Sequence, residues 1–273
     1  MSLPAWLLSS VLTCPGPMPG SGVEVRVVSA GTLSTRWELV VDDGRRGAVS
    51  LPLLVGEIRH PDGLVLVDSG MGQATRDGAF PRFPASRFEV DIPAGVTVAE
   101  RYGNPHKILM THLHYDHVGG LLDLDKTEVW TTEDEWRTTA TGNLAFPEAA
   151  MRRAVRWRTI DLRAGQSAQI LGRPGVDVMG DGTIFYLSTP GHTPGAASVL
   201  VQAEESAWLF VGDVAWVDAH LAGAQRPRLV SLVVDGRPRL QRRNLDWVRA
   251  LQSRCPDLQV VAGHEARWVQ KSD

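Results

Sequence analysis

The feature that most constrains this chain is the run THLHYDHVGG, from Thr111 to Gly120. It places three imidazoles and one carboxylate within six residues, directly after the apolar run Ile108-Leu109-Met110. A strand that ends in such a turn presents several ligands from one rigid support, and zinc and similar divalent metals prefer imidazole and carboxylate ligands. Burying four titratable groups costs solvation energy unless a metal or hydrogen bonds compensate it. The turn therefore predicts a metal site.

Three further ligand-type side chains follow apolar runs elsewhere in the chain. His192 lies in the turn STPGHTPG, Asp213 in the sequence VGD and His264 in the sequence GHE. Three imidazoles and water satisfy one four-coordinate metal, and two imidazoles with a carboxylate and waters satisfy another. A shared carboxylate can bridge two metals ~3.5–4 Å apart. Because one metal would leave several of these groups unused, the residues predict two.

The other histidines, His60, His106 and His220, stand apart from such motifs. We expect them to be surface imidazoles, or core imidazoles whose hydrogen bonds are satisfied by the protein.

The order of the motifs HxHxDHxxG, TPGHTPG, GD and GH resembles that of the metallo-β-lactamase-fold hydrolases, from Asp68 in the sequence VDSG to His264. The resemblance implies an α+β fold, a four-layer αββα sandwich with a dimetal site at one edge of its two sheets. It implies that the first metal is held by His112, His114 and His192, the second by Asp116, His117 and His264, and that Asp213 bridges them. It also implies that Asp68 orients a ligand imidazole from behind.

Within that family the motif spellings and the length look most like the lactonase branch, which includes the quorum-quenching N-acyl homoserine lactone hydrolases. We expect hydrolysis of a lactone or related carboxylic ester by a hydroxide that bridges two divalent ions, with Asp116 carrying a proton to the leaving group. Zinc is the expected metal, and iron, manganese or cobalt are alternatives. Phosphotriester, phosphodiester or thioester hydrolysis, or iron-dependent persulfide or oxygen chemistry, are the alternative functions.

One departure from the lactonase pattern concerns the substrate. Lactonases of that branch often carry a tyrosine three positions after the bridging aspartate, where this chain has Trp216. Because indole has no hydroxyl, the contact to the substrate carbonyl would need Tyr115, Tyr186 or a water. Trp216 and Tyr115 are the predicted pocket residues, together with Phe83 in the long aperiodic loop 73–92.

The hydrophobic pattern indicates strands, then helices, then strands and a last helix. Strands are predicted at 23–28, 37–41, 51–58, 64–67, 168–171, 176–179, 183–187, 198–201, 208–211 and 258–262. Helices are predicted at 96–102, 132–140, 147–157 and 238–253, with a capping box opening the second. Residues 1–22 are predicted as an irregular lead-in, and 23–273 as one domain of two similar halves that meet near 165. The segment 142–158 is expected to cap the site or to form a homodimer contact, with its arginines on a solvated helix face.

Composition narrows the classes of partner. A formal net charge of −3 argues against a nucleic-acid partner, and no apolar run is long enough to span a membrane, so the expected partner is a small-molecule substrate. Cys14 and Cys255 form no CxxC pair, which leaves one bridge between them open. The N-terminal residues are apolar but carry no basic residue. A secretory signal is therefore not indicated and a cytoplasmic location is predicted, with export as the alternative.

Overall fold

Two mixed β-sheets form the centre of the fold in the computed structural model, which describes residues 13–79, 88–139, 155–163 and 168–270. In chain order the strands are β1 (Glu24–Arg36), β2 (Ala48–His60), β3 (Gly63–Val67), β4 (Glu89–Asp91), β5 (Lys107–Leu109), β6 (Glu128–Thr132), β7 (Arg156–Ile160), β8 (Ala168–Ile170), β9 (Arg173–Asp177), β10 (Ile184–Ser188), β11 (Ala197–Gln202), β12 (Ala207–Phe210) and β13 (Gln259–Val261). Within the described ranges one sheet has the order β4-β1-β2-β3-β5-β6-β7 and the other β13-β12-β11-β10-β9-β8.

Most of the helices are short. They are α1 (Trp37–Val40), α2 (Val98–Tyr102), α3 (Tyr115–Val118), α4 (Glu133–Thr139), α5 (Asp218–Leu221), α6 (Arg228–Val234) and α7 (Pro238–Arg254). Single 3₁₀ turns occur at Gly119–Asp123, Gly212–Val214 and Ala266–Trp268, and an irregular helical turn at Thr75–Ala79.

The strands that lead to the predicted ligands run in matching directions within each sheet. In the first sheet β3, β5 and β6 are parallel neighbours. In the second sheet β12 and β13 are parallel, and β10 runs with them because β10 and β12 are both antiparallel to β11. Since the carboxyl ends of strands that run together meet at one edge, each sheet delivers its ligand-bearing turns to a single edge.

Apolar side chains fill the space between the two sheets. Val27, Ile58 and Val67 of the first sheet share one buried cluster with Tyr186 and Val199 of the second. Each of these residues has a strand neighbour that points to the opposite face, as the alternation of side chains along a strand requires. The sheets therefore pack face to face.

Helices cover the outer face of each sheet. Leu245, Val248 and Leu251 recur at helical spacing on α7, and they share a buried cluster with Leu200 and Leu209 of the second sheet. Apolar residues of α2 and α3 pack in the same way with strands of the first sheet. The order of layers is helix, sheet, sheet, helix, so the predicted αββα sandwich of class α+β is confirmed.

The strand predicted at 37–41 is wrong. Its first four residues form α1, which turns the chain between β1 and β2. Val40 and Val41 are buried because this turn packs on a small apolar cluster. Their apolar side chains gave the segment the sequence pattern of a strand, although it pairs with none of the strands described above.

The helix predicted for 147–157 is wrong at its end, because the chain enters β7 at Arg156 and pairs in parallel with β6. Arg156 and Arg158, predicted to lie on a helix face, are both exposed and alternate with the half-buried Trp157, as a strand requires. Outside the described residues lie positions 140–154, with most of the segment 142–158 and with Arg152 and Arg153.

Cys14 and Cys255 form a disulfide with a Cα–Cα distance of 5.5 Å, which settles the alternative that the sequence left open. The bond joins residues before β1 to the end of α7. Disulfides form and persist mainly in oxidising compartments, so this pairing does not favour the cytoplasmic location, which stays a prediction. No helix in the described part of the chain is long and apolar enough to cross a membrane.

Candidate metal centre

One turn supplies four of the seven predicted ligands. After β5 the chain runs through His112 and His114, and His114 precedes the first residue of α3. Asp116 and His117 lie within that helix. Because a helical turn follows an extended segment here, side chains from both parts converge on the same edge of the first sheet.

The other three ligands come from the second sheet, each within a few residues of a strand end. His192 follows β10, Asp213 follows β12 and His264 follows β13. Gly212 has a φ of 50°, a left-handed conformation that glycine adopts without strain, and an added Cβ would lie 2.7 Å from Thr111. Glycine at this position therefore allows the Asp213 turn to approach the first sheet closely.

Asp213 lies at the centre of the cluster with one oxygen towards each side. Its Oδ2 is 3.1 Å from Nε2 of His192 and 3.9 Å from Nε2 of His112. Its Oδ1 is 3.3 Å from Nε2 of His117 and 3.4 Å from Nε2 of His264. This is the arrangement that a carboxylate bridging two cations requires.

The ligand atoms divide into two groups around this carboxylate. Within each group all atoms lie within 4.8 Å of one another. One group comprises His112, His114, His192 and Asp213, and the other comprises Asp116, His117 and His264. The structure thus brings together all seven residues that the sequence singled out, in the two sets that the resemblance implies.

Three buried polar atoms at the centre have no hydrogen-bond partner among the described residues: Nε2 of His112, Nε2 of His117 and Oδ1 of Asp213. A buried polar atom without a partner costs about 1–3 kcal/mol, so three of them side by side need a compensating ligand. Imidazole nitrogens with carboxylates suit zinc and neighbouring transition metals, whereas calcium and magnesium take oxygen ligands. The donor set therefore fits two transition-metal ions.

The electrostatics of the cluster are unbalanced between its members. Burial lowers the pKa of His112 and His114 well below the usual value, and neighbouring imidazoles add to this effect. For His117 and His192 burial also opposes protonation, but nearby carboxylates outweigh it and raise the pKa. Burial would raise the pKa of Asp213, yet the imidazoles of His192 and His117 hold it well below its usual range. A shared carboxylate that stays ionised is suited to bind cations.

Asp68 lies behind the His117 side of the centre, as the resemblance implies. Its Oδ2 is 2.8 Å from Nδ1 of His117, and the backbone N–H and hydroxyl of Thr111 donate to its two oxygens at 2.7 Å each. Asp68 has a φ of 60°, a left-handed conformation that aspartate tolerates better than most residues. The end of β3 is bent to hold this carboxylate in place.

Asp235 has the corresponding position on the His192 side, and sequence reasoning missed it. Its Oδ1 is 2.9 Å from Nδ1 of His192 and also accepts from the guanidinium of Arg226, while Ser231 donates to its Oδ2 at 2.5 Å. Asp235 follows a helix instead of a strand. The available signal was the sequence VVDG, an apolar run that ends in an acid and a glycine, much like VDSG at Asp68.

Glu135 connects the two ligand-bearing turns. Its fully buried carboxylate accepts from the backbone N–H groups of Leu113 and Gly195, both at 3.0 Å. Thr132 accepts from the N–H of Glu135, which confirms that Thr132 caps α4. The glutamate does not reach back to the helix start as the predicted capping box requires. Burial raises its pKa, and it joins the His112 turn to the His192 turn.

The predicted pocket residues have different surroundings. The indole N–H of Trp216 donates to Oδ2 of Asp213 at 2.6 Å, so this side chain touches the centre directly. The hydroxyl of Tyr115 accepts from Thr75, and that of Tyr186 donates to a backbone carbonyl within the core between the sheets. Phe83 lies outside the described residues.

The three histidines set apart from the centre behave as expected. His106 is exposed. His60 is buried with Nε2 2.9 Å from Asp181, and His220 is buried between two backbone partners.

Comparison with known proteins gives one family. A profile of the Metallo-beta-lactamase superfamily matches residues 53–264. A Mycobacterium tuberculosis protein named "Probable metallo-hydrolase Rv2300c" is 26% identical, over 97% of this chain and 87% of the relative. The N-acyl homoserine lactonase AttM of Azorhizobium caulinodans is 22% identical, over 89% of this chain and 93% of its own length.

A solved N-acyl homoserine lactone hydrolase, with the product N-hexanoyl-L-homoserine bound at its catalytic metal center, superposes with a TM-score of 0.71 at 18% identity. The superposition covers 89% of this chain and 93% of that one. At this identity the likeness shows a shared fold.

Proposed function

The chain belongs to the metallo-beta-lactamase superfamily, and we propose that it is a two-metal hydrolase that cleaves a lactone or related carboxylic ester. The observation that carries the proposal is the placement of Asp213, whose two oxygens face two separate groups of imidazoles. The names of the relatives support the same class, since they include a metallo-hydrolase and an N-acyl homoserine lactonase.

Two zinc ions are the proposed cofactors. His112, His114 and His192 would hold one, Asp116, His117 and His264 the other, and Asp213 would contact both. When bound, such ions lower the pKa of a shared water towards neutrality and polarise the carbonyl oxygen of a substrate. Asp68 and Asp235 would keep His117 and His192 in the ring orientation and tautomer that present Nε2 to the metal.

Asp116 is the proposed proton carrier. Its side chain is 23% exposed against 6% for Asp213, so it is the more accessible carboxylate of the cluster. Its Oδ2 lies 3.5–3.6 Å from the imidazoles of His264 and His117, which leaves its other oxygen for a proton. Ester or lactone cleavage releases an alkoxide, and a carboxyl group at this position can supply the proton that converts it to an alcohol.

Trp216 is the proposed determinant of how the substrate carbonyl is bound. The lactonase pattern has a tyrosine hydroxyl at this position, whereas Trp216 uses its only side-chain donor on Asp213. The ring, stacked under the guanidinium of Arg226 at 4.1 Å, forms a rigid wall beside the centre. Trp216 would therefore not hydrogen-bond the carbonyl, and bound metal ions would supply its polarisation. Hydrolysis of N-acyl homoserine lactones, and with it quorum quenching, is the most specific form of the proposal.

A hydrolysis panel on zinc-loaded and iron-loaded protein tests the proposed function. It contains lactones of several chain lengths, aryl esters, a phosphotriester, a phosphodiester and a thioester, with metal content measured for each preparation. We expect two zinc ions per chain and the highest kcat/KM on a lactone or ester. Highest kcat/KM on a phosphoester or thioester would assign the site to that class. One iron per chain, with oxygen consumed on a thiol substrate, would overturn hydrolysis.

A further inference from the structure

Helix α6 exposes an apolar surface that the proposed hydrolase does not need. Leu229, Leu232 and Val233 are 78%, 61% and 77% exposed, and they are the large apolar side chains that stand out as exposed in the described part of the chain. No residue of this helix is buried. Grouped apolar side chains in water mark a binding surface more often than isolated ones do.

Arginines flank this helix in the sequence, and most of them are exposed. Residues 219–245 contain six arginines and a single acidic residue, Asp235, in a chain whose net charge is −3. Asp235 is buried against Arg226 and His192 and so neutralises none of the exposed ones. The exposed arginines are Arg228, Arg237, Arg239, Arg242 and Arg243. None of the five forms an ion pair with a residue in the described ranges.

The apolar and basic groups lie close together along the chain, because α6 and α7 are joined by only three residues. The connection is fixed to the protein, since the N–H groups of Gly236 and Arg237 donate to the carbonyls of His192 and Gly191 at 2.8 Å each. Arg239, Arg242 and Arg243 occupy the first two turns of α7, on its exposed side. We call the three apolar residues of α6 and the five exposed arginines the α6 surface.

The charge of the α6 surface decides between its possible occupants. A symmetric contact with a second copy would bring the same patch of both chains together, with five exposed arginines on each side. Like charges at such an interface oppose association. A negatively charged partner would attract these arginines instead of repelling them. Because two leucines and a valine are also exposed, the partner should have apolar groups that these side chains can contact.

We propose that the α6 surface docks this protein on an anionic lipid surface. Short amphipathic segments lie in the interfacial plane with aliphatic side chains in the acyl boundary and arginines at the headgroups. Each basic residue near an anionic bilayer contributes about 1 kcal/mol. The expectation of no membrane partner rested on the lack of a spanning segment, and docking at the surface needs none.

Docking through the α6 surface would hold the metal centre close to the lipid. Ser231 lies between the exposed Leu229 and Leu232, and it donates to Asp235, which contacts His192. The proposed lipid contact and the proposed metal ligand are therefore joined through a single carboxylate.

Vesicle co-sedimentation of the full-length protein tests the proposal. The vesicles are pure phosphatidylcholine, or phosphatidylcholine with one third phosphatidylglycerol, at low and high salt. We expect binding to the anionic vesicles at least tenfold above that to the neutral ones, and a marked loss at high salt. The absence of binding, or equal binding to both compositions, would overturn the proposal.

Surface variants separate the contribution of charge from that of hydrocarbon. Arg239→Gln/Arg242→Gln should weaken binding to the anionic vesicles by roughly ten- to thirty-fold, from the expected contribution of two basic residues. The matched control is Arg46→Gln/Arg156→Gln, which removes two exposed arginines elsewhere and should bind as wild type. Equal losses for the two charge variants would contradict a localised surface.

Leu229→Gln/Leu232→Gln should weaken vesicle binding by at least tenfold, because two aliphatic side chains no longer enter the acyl boundary. Unchanged binding of this variant would mean that the surface recognises charge alone, as for an acidic protein, and would overturn the lipid assignment. A shift from dimer to monomer in sedimentation equilibrium without lipid would instead identify a self-association face, and would overturn it too.

Discussion

Asp68 and Asp235 have the same position on opposite sides of the candidate metal centre, but different parts of the molecule supply them. Asp68 is 2.8 Å from Nδ1 of His117, and Asp235 is 2.9 Å from Nδ1 of His192. Both carboxylates are buried. In each case an acid fixes the far nitrogen of an imidazole whose near nitrogen faces the centre, which is the usual outer support of a metal ligand.

The surroundings of the two acids differ. Asp68 ends a central strand and receives both the N–H and the hydroxyl of Thr111, so it belongs to the core of the first sheet. Asp235 follows the exposed helix α6, and the oxygen that contacts His192 also accepts from Arg226. The His117 side of the centre is therefore supported from within a sheet, and the His192 side from a segment next to the surface. Variants can test whether the two sides respond separately.

The largest effect is expected for Asp213→Ala, because this carboxylate belongs to both sides. The variant leaves four imidazoles without their shared anion, and we expect it to lose both metals and to lower turnover by at least ~10³-fold while the protein remains folded. Metal content per chain, kcat and circular dichroism check these outcomes. Asp246→Ala, which removes an exposed carboxylate on α7, is the matched control. Full activity of Asp213→Ala in metal-saturated buffer would contradict the proposed site.

The next largest effect is expected for Asp68→Asn, which should act on the His117 side alone. Asparagine tolerates the left-handed backbone of this position, and its amide oxygen can still accept from Thr111. The lost charge should weaken one metal by about 10–100-fold and leave the other in place. Chelator titration followed by metal analysis would show one tight and one weak site. Equal weakening of both metals would show that the two sides do not respond separately.

A smaller effect is expected for Asp235→Asn, on the His192 side. The Asp235 oxygen that contacts His192 also accepts from the charged Arg226, whereas that of Asp68 accepts from the neutral Thr111 hydroxyl. Asp235 therefore polarises its imidazole less than Asp68 does, and we expect about a tenfold loss of affinity for one metal. Ser231→Ala is the control, since it removes the hydrogen bond to Asp235 but keeps the charge. Chelator titration of both variants gives the comparison. A loss larger than that of Asp68→Asn would reverse the proposed difference between the sides.

The same contrast explains what the sequence could predict. Asp68 and the seven predicted ligands follow directly after apolar strands or lie in one dense motif, so local pattern locates each of them. Asp235 and Glu135 lie in or directly after helices, and Glu135 contacts Gly195, 60 residues away, while Asp235 contacts His192, 43 residues away. Asp68 contacts His117 across 49 residues, but the end of a strand marks its position. Apart from the likeness of VVDG to VDSG, no local pattern identifies these contacts, because they exist only once the sheets have packed.

The fold could be predicted to a similar depth. Buried strands with alternating or continuous apolar residues, and α7 with its apolar stripe, follow from hydrophobic periodicity. The predictions are wrong at α1 and β7, and the pattern did not predict the strands β4 and β6. A four-residue turn such as α1 is too short to show helical periodicity. The strand β7 forms by pairing with β6, and the residues near Arg156 carry no local pattern that shows this pairing.

The smallest effect expected concerns pH and lies on the surface-connected side. His220 accepts from the N–H of Trp216 and donates to the carbonyl of Val40, so the folded protein needs the neutral ring. Burial, followed by the charge of Arg226, lowers the pKa of His220 to about 3. Below about pH 6.5 the unfolded chain binds a proton at this histidine that the folded chain does not. The contribution of His220 to stability is therefore fully present above that pH and is lost as pH falls towards 3.

We expect this histidine to lower the free energy of unfolding by less than about 1 kcal/mol between pH 7 and pH 6, and by roughly 1 kcal/mol for each further unit. Urea midpoints of metal-free wild type and His220→Gln measure the difference between their pH profiles, and the other histidines cancel in that difference. The variant should be less stable at pH 7, because it loses two buried hydrogen bonds, but its stability should change less with pH. Parallel profiles would show that folding does not lower the pKa of His220, and the neutral ring would then not be what stabilises the Trp216 side of the centre.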